Sequence, residues 1–287
     1  MFQWVGNDVG KKILATLKYF LYNKGIMKGI NMSQKIKSGQ SKNQHQSKNK
    51  GPWLYGMHPV TAALQNPNRK IKEIQGVKNA LDMLKIPAHI PVKIVAREQI
   101  DALVGQSAVH QGVVAKCEPL PIVAVEDVVR DVKNDDKALF VILDQVFDPH
   151  NVGAILRSAA AFGVRAVIVP DANAPEESGT LAKSASGALE VMPLIRVSNL
   201  VRTMEYLKKQ GFWCVGMDGY AEKSIGEDRL PAKCVIVMGS EGDGMRRLTA
   251  ENCDYTVKLP IARTVESLNV SNACAIALYE WQRIWQK

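Results

Sequence analysis

The chain has 287 residues and 46% of them are apolar, which is enough to bury the core of one large or two ordinary domains. Its formal net charge is +9, but residues 1–50 hold ten lysines and one aspartate and so account for all of it (10 − 1). The remaining chain balances at 27 basic and 27 acidic side chains (37 − 10 and 28 − 1). Attraction to a polyanion is therefore expected from the N-terminal arm and from local patches.

Cysteine spacing and hydropathy exclude several classes of protein. The five cysteines are scattered and form no CxxC pair, so neither a zinc site nor a disulfide framework is predicted. The longest apolar runs are far too short to span a bilayer, and the N-terminus lacks the pattern of a secretory signal. The sequence predicts a cytoplasmic protein with reduced thiols, no metal and no membrane association.

The first fifty residues are predicted to be a basic and largely disordered arm. Residues 9–21 place apolar side chains at helical spacing with lysines between them. This segment has three open interpretations: a helix docked on the body, an organelle-targeting peptide, or translated sequence upstream of a start at Met27 or Met32. Residues 33–50 are polar and offer almost nothing to bury, which indicates disorder.

Residues 51–120 are predicted to form a small α/β domain, and residues 121–137 a charged linker with one helix at 125–132. The domain's predicted helices and strands are helices 60–64, 78–85 and 98–104 and strands 71–77, 92–96 and 113–117. His58 and the turn His110-Gln111-Gly112 are unusual polar positions, for which a surface or turn role is favoured over direct chemistry. The local basic excess is slight, so RNA contact by this domain is a hypothesis.

From residue 138 to 287 the pattern alternates between strand and helix. The predicted strands are 138–144, 166–170, 193–197, 213–218, 234–239 and 255–259, and the predicted helices are 154–162, 179–186, 200–210 and 270–286. Continuous apolar strands such as Phe140–Leu143 and Val235–Met238 suit a sheet covered on both faces. We predict an α/β fold with a mostly parallel sheet, whose ligands bind beyond the carboxyl ends of the strands.

Two loops at such strand ends carry candidate chemistry. In the first, Asp148-Pro149 predicts a turn and Asn151 a cap for the helix that carries Arg157. The second, residues 239–245, has three glycines within six residues, which allows its backbone to approach a carboxylate or an adenosine closely. It matches neither common phosphate-binding glycine pattern, so a dinucleotide or ATP phosphate site is not indicated.

The third loop runs from Leu259 to Ala273. Pro260 is expected to end the preceding strand, and Ser267 and Asn269 are placed to cap a helix that begins near Val270. Taken alone, this pattern indicates only a helix cap. This loop follows a strand, as the other two loops do, which indicates that all three loops serve one site.

Together, the stretches LD…DPHNVGAILR, GSEGDGM and LP…SLNVS resemble the three signature motifs of the SpoU/TrmH (SPOUT) family of RNA ribose 2′-O-methyltransferases. The likeness extends from about residue 53 to the end and is greatest to members that methylate a guanosine of 23S rRNA. It implies a C-terminal deep trefoil knot, S-adenosyl-L-methionine as cofactor, and a homodimer with its active site at the subunit interface. It also implies that the N-terminal unit is a ribosomal-protein-like domain that binds the RNA substrate.

The resemblance also implies which residues form the site. By motif position the catalytic set is Asn151, Arg157, Glu241, Ser267 and Asn269, and the cofactor-binding set is Gly239, Leu259, Ile261 and Leu268. One departure is clear: the family usually has Pro-Met-x-Gly where this chain has Pro260-Ile261-Ala262-Arg263. Arg263 therefore either changes the loop slightly or places its guanidinium on an RNA phosphate.

A ribose hydroxyl is a weak nucleophile, so its methylation requires in-line geometry and stabilisation of the forming alkoxide. Because a guanidinium stays protonated in proteins, Arg157 is predicted to orient a phosphate and stabilise the 2′ oxygen, and not to act as a base. The proton would leave to phosphate or water. Two other functions remain open: a tRNA ribose methyltransferase of the same family, and a non-catalytic RNA-binding protein of ribosome assembly.

Overall fold

A computed structural model describes residues 51–172, 174–262 and 264–285. The predictions for the N-terminal arm and for Arg263 lie outside these residues. The described chain forms a four-stranded and a six-stranded sheet. No helix within the described ranges is long and apolar enough to cross a membrane.

The smaller sheet has the strand order β1-β4-β2-β3, with β4 antiparallel to both neighbours and β3 parallel to β2. Its elements are β1 (Trp53–Tyr55), α1 (Met57–Gln65), β2 (Ile71–Gly76), α2 (Lys78–Leu81), β3 (Val92–Ile94), α3 (Arg97–Val104) and β4 (Val113–Cys117). Leu54, Ile74 and Ala115 are fully buried within it. The helix α4 (Val125–Asp131) follows.

The larger sheet contains six strands, and every pair of neighbours is parallel. Its strands are β5 (Ala138–Leu143), β6 (Ala166–Pro170), β7 (Leu194–Val197), β8 (Trp213–Met217), β9 (Lys233–Met238) and β10 (Tyr255–Val257). Its helices are α5 (Pro149–Ala161), α6 (Gly179–Ala185), α7 (Leu200–Lys209), α8 (Arg247–Glu251) and α9 (Val270–Trp285), with a 3₁₀ turn at Ala188–Glu190. The predicted α/β fold with a mostly parallel sheet is confirmed.

Helices cover both faces of β5, which explains its uninterrupted apolar sequence. Leu139, Val141 and Leu143 belong to a core shared with α5, α6 and α9. Phe140 and Ile142 point the other way and pack in a second core with α4 and α7. Because successive side chains of a strand alternate between faces, a strand buried on both sides must be apolar at every position.

The strand order β10-β8-β9-β5-β6-β7 places a topological switch between β9 and β5. From β5 the chain continues to β6, on one side of β5. The strand β9, which follows β8 in the chain, pairs with the other side of β5. The carboxyl ends of the two strands lie side by side, since Leu143 pairs with Met238. A crevice at such a switch point is where open α/β sheets bind their ligands.

Several predicted boundaries were wrong. The helix predicted at 154–162 begins at Pro149, because the Asp148 side chain accepts the His150 N–H at 2.9 Å and proline suits a first helical position. Asn151 therefore lies inside the first turn and does not cap it. The predicted helix 78–85 ends at Leu81, and Met83 beyond it is 67% exposed with no core to pack against.

The strand predicted to reach residue 259 ends at Val257. Lys258 adds only an isolated bridge to Ser224. Pairing thus stops before Pro260, which still marks the start of the third loop.

Arg69 joins the two sheets. Its side chain is fully buried, and its Nε and Nη2 atoms donate to Glu190 Oε1 at 3.1 and 2.7 Å. Its Nη1 donates to Glu177 and to the Glu118 carbonyl. Burial lowers the pKa of Arg69, but its bonds to Glu190 and Glu177 outweigh burial and leave it raised. A guanidinium from the smaller sheet's unit is thus held by two carboxylates from the segment between β6 and β7.

Candidate active site

The three loops predicted to serve one site meet through Asn151, Glu241 and Asn269. Glu241 Oε1 accepts the Asn269 side-chain amide at 2.8 Å, the Asn151 side-chain amide at 3.3 Å and the Val270 backbone N–H at 3.2 Å. Asn269 also donates to Asn151 Oδ1 at 2.9 Å. One carboxylate oxygen therefore ties together the first turn of α5, the glycine-rich loop and the start of α9.

Asn269 is both the cap of α9 and a member of this cluster. Its Oδ1 accepts the backbone N–H groups of Ser271 at 3.0 Å and Asn272 at 3.4 Å. With the carbonyl directed at its own helix, the amide nitrogen must face Asn151 and Glu241. The cap thereby fixes which way this amide points.

The glycine-rich loop after β9 folds back on itself. Ser240 and Gly244 exchange backbone hydrogen bonds of 3.0 and 3.2 Å. A Cβ atom at Gly239 would lie 2.1 Å from the carbonyl carbon of Gly244, far inside any allowed contact. Residue 239 must therefore be glycine for the loop to close in this way.

Sequence reasoning missed the residues that anchor this loop to β5. Asp144 is fully buried and accepts the Arg246 backbone N–H at 2.8 Å and its Nε at 2.7 Å. Gln145, which has a positive φ of 64°, donates its amide to the Gly244 carbonyl at 3.2 Å. A carboxylate directly after a wholly apolar strand is the signal that points to such an anchor, since a buried charge requires a partner.

Arg157 and Ser267 belong to the predicted catalytic set but not to the bonded cluster. Both side chains are exposed, and neither forms a hydrogen bond or ion pair with the described part of the chain. Arg157 lies on α5, the helix that carries Asn151. The structure therefore bonds Asn151, Glu241 and Asn269 to one another and leaves Arg157 and Ser267 outside that network.

Apolar positions of the predicted cofactor-binding set lie on the third loop. Leu259 and Leu268 are half-buried, and Ile261 is 39% exposed. Leu268 directly precedes Asn269, so it lies beside the bonded cluster. The loop thus presents apolar surface as well as hydrogen-bonding groups.

The cysteines are not suited to nucleophilic catalysis. Burial raises the pKa of Cys117, Cys214, Cys253 and Cys274 to about 12, and raises that of Cys234 further. Since the thiolate is the reactive form, these thiols are inert at neutral pH. The chemistry of the site falls to amide, carboxylate, hydroxyl and guanidinium groups.

The fold and these loops match known proteins. A family model described as the SpoU rRNA Methylase family matches residues 138–279, and one described as RNA 2′-O ribose methyltransferase substrate binding matches residues 53–123. The chain belongs to the SpoU rRNA methylase family.

Two curated relatives bear the same name, 23S rRNA (guanosine-2′-O-)-methyltransferase RlmB. The one from Vibrio cholerae is 40% identical over 234 residues, which is 79% of this chain and 94% of the relative. The one from Coxiella burnetii is 42% identical over 238 residues, covering 80% and 94% respectively. The predicted family is therefore confirmed.

Among solved structures, the SpoU methyltransferase AviRb from Streptomyces viridochromogenes, in complex with AdoMet, has a similar fold. The TM-score is 0.68 at 23% identity, covering 80% of this chain and 89% of that one.

Proposed function

We propose that this protein transfers a methyl group from S-adenosyl-L-methionine to the ribose 2′-hydroxyl of a guanosine in 23S rRNA. The observation that carries the proposal is the bonded cluster of Asn151, Glu241 and Asn269 at the switch point of a SpoU-family sheet. The relatives at about 40% identity, which are named for this reaction on 23S rRNA, support the substrate.

The chemistry of the site fits the cofactor, which supplies an electrophilic methyl group when bound. Leu259, Ile261 and Leu268 offer apolar surface suited to an adenine ring. The backbone at Gly239 offers polar groups with no side chain in the way. These four residues would hold the cofactor.

The remaining residues would act on the RNA. Arg157, which is exposed and has no partner in the described chain, would bind a phosphate and stabilise negative charge forming on the 2′ oxygen. Asn151 would hold the ribose, and its bonds to Glu241 and Asn269 would fix the orientation of its amide. Ser267 would donate its hydroxyl to phosphate. The proton of the ribose hydroxyl would pass to phosphate or water, because a guanidinium does not accept it.

We further propose a homodimer. Phe147, Ile276 and Tyr279 are 48%, 44% and 55% exposed, and they lie just before α5 and along α9. The rings of Tyr279 and Phe162 meet edge to face at 6.3 Å, so α9 contacts the end of α5 at this point. Exposed apolar patches of this kind mark interaction sites.

A trefoil knot is part of the proposal. β10 lies at one edge of the large sheet, yet α9 starts beside Glu241 at the centre. The chain therefore returns from the edge of the sheet to its centre between β10 and α9, which supports the proposal of a knot.

The division of the chain is also proposed. Residues 51–120 would bind the RNA substrate, and residues 138–287 would catalyse methyl transfer in the cytoplasm. Residues 121–137 would link these two domains. The two family models, at 53–123 and 138–279, support this division.

The test is transfer of tritiated methyl from S-adenosyl-L-methionine into 23S rRNA transcribed in vitro, with tRNA as the parallel substrate. Label is expected in 23S rRNA, on one guanosine ribose. Label in tRNA alone would favour the tRNA enzyme. RNA binding without transfer to either substrate would favour the assembly protein and contradict the proposal.

A further inference from the structure

Lys183 of α6 lies where the two sheets meet, against the turn His110-Gln111-Gly112. Its Nζ donates to Gln111 Oε1 at 2.8 Å, and the same oxygen accepts the Met57 backbone N–H at 3.1 Å. A Cβ atom at Gly56 would lie 2.7 Å from Nζ. The ammonium group therefore lies against the backbone at Gly56 and is held by the Gln111 amide.

The charge of Lys183 is not neutralised. Its partner in the described chain is the amide oxygen of Gln111, and no described carboxylate lies within ion-pair distance. The side chain is half-buried, and this burial lowers the pKa of Lys183. Binding an external anion stabilises a cation most when the cation is partly desolvated and its protein partner is neutral.

The helix α6, which carries Lys183, contacts the start of α5 near the bonded cluster. The next residue, Ser184, has its Oγ 3.1 Å from His150 Nδ1. His150 directly precedes Asn151, which belongs to the bonded cluster. The helix that carries Lys183 therefore contacts the first turn of α5, which carries Asn151.

We infer that Lys183, held by Gln111, binds a backbone phosphate of the RNA substrate between the smaller sheet's unit and the catalytic cluster. The inference rests on the proposed function and adds to it a contact that bridges the two sheets. RNA is the fitting ligand because a strand whose target ribose lies at Asn151 carries a phosphate at every neighbouring nucleotide. Phosphate contacts of this kind set register without reading sequence.

The test compares Lys183→Gln with Lys209→Gln, which removes the same charge from an exposed position at the end of α7. Binding of the 23S rRNA transcript is measured over a series of salt concentrations. Lys183→Gln is expected to weaken binding about tenfold and to reduce the slope of log affinity against log salt by about 0.7–0.9. It should raise the KM for RNA more than it lowers kcat, whereas Lys183→Arg should retain most of the affinity.

A measurement on the unaltered protein guards against a folding defect in the variant. Acetylation of Lys183 by acetic anhydride should be slowed by the 23S rRNA transcript, and acetylation of Lys209 should not. Equal slopes for the two glutamine variants, or equal acetylation with and without RNA, would overturn the inference. If the wild-type protein methylates 23S rRNA in that case, the proposed function stands and only the role of Lys183 fails.

Discussion

Arg69 and Lys183 both lie where the two sheets meet, but their surroundings differ. Arg69 is fully buried and faces two carboxylates and a carbonyl, so all of its donors are directed at the protein. Lys183 is half-buried and has a single amide acceptor among the described residues. The difference separates a cation that holds the fold together from one that is kept available for a ligand.

The active site shows the same contrast. Asn151, Glu241 and Asn269 satisfy one another, whereas Arg157 points to solvent. Groups that must keep a fixed orientation are bonded within the chain, and the cations that would contact RNA are left open. Three experiments test this distinction, and a fourth measures an exposed ion pair for comparison.

The largest effect is expected for Arg69→Met, which leaves Glu177 and Glu190 without their partner. Removing one member of a buried ion pair costs about 3–5 kcal/mol, so the free energy of unfolding in urea should fall by this amount. Arg130→Met is the matched control, because Arg130 pairs with Asp127 on the surface and should change stability by no more than about 0.5 kcal/mol. A loss below about 1 kcal/mol for Arg69→Met would contradict a fold-holding role.

Arg157→Lys should lower methyl transfer about a hundredfold, because an ammonium group lacks the planar fork that positions a phosphate. Stability should change by less than about 0.5 kcal/mol, since Arg157 is exposed without a partner in the described chain. Single-turnover transfer and urea unfolding provide the two measurements. Normal transfer by the lysine variant would rule out the need for a guanidinium.

Asn269→Asp separates the two roles of this residue. Aspartate can still cap α9, so at about 1 M salt, which screens its repulsion from Glu241, stability should fall by less than the roughly 1 kcal/mol that loss of a cap costs. Its carboxylate has no N–H for Asn151 and repels Glu241, so methyl transfer should fall. Asn269→Ala, which removes both roles, should lose the cap energy as well; equal stability of the two variants would contradict the capping role.

The smallest effect concerns the exposed pair Glu73 and Lys93, 2.7 Å apart. The hydrogen bond from Lys93 lowers the pKa of Glu73, although slight burial opposes it. A lowered carboxyl pKa means that the pair stabilises the fold above the unfolded-state pKa and that this contribution is lost as pH falls through the folded-state value. Glu73→Gln should cost at most about 0.5 kcal/mol near neutral pH and nothing once the pH is below the folded-state pKa of Glu73. A cost that persists in acid would show that packing, not charge, is responsible.

Local patterns predicted most of the larger sheet because its signals are strong. The apolar runs in β5 and β9 suit strands covered on both faces, and both strands were predicted within one residue of their observed ends. The strand β1 was missed because its three residues are too few to show a period. The helix α8 was missed because it has only five residues. The start of α5 was misplaced because Asp148-Pro149 suits a turn and a helix start equally well.

For the site, the rule that ligands gather at the carboxyl ends of parallel strands was sufficient to group the three loops. It did not reveal which atoms meet. The bond between Asn151 and Asn269 joins residues 118 apart in sequence, and that between Arg69 and Glu190 joins residues 121 apart. Such contacts depend on the complete packing of the sheet, so no window of sequence contains them.

The central position of β5 also has a consequence for how the protein folds. Its register partner Lys233 lies 95 residues after Ala138 (233 − 138), so one edge of an entirely apolar strand stays unpaired until β9 arrives. Parallel pairing over such distances is slow, because a long loop must close, at a cost in chain entropy, before the stabilising contacts form. The glycine-rich loop follows β9 directly, so we expect the bonded cluster of Asn151, Glu241 and Asn269 to assemble late in folding.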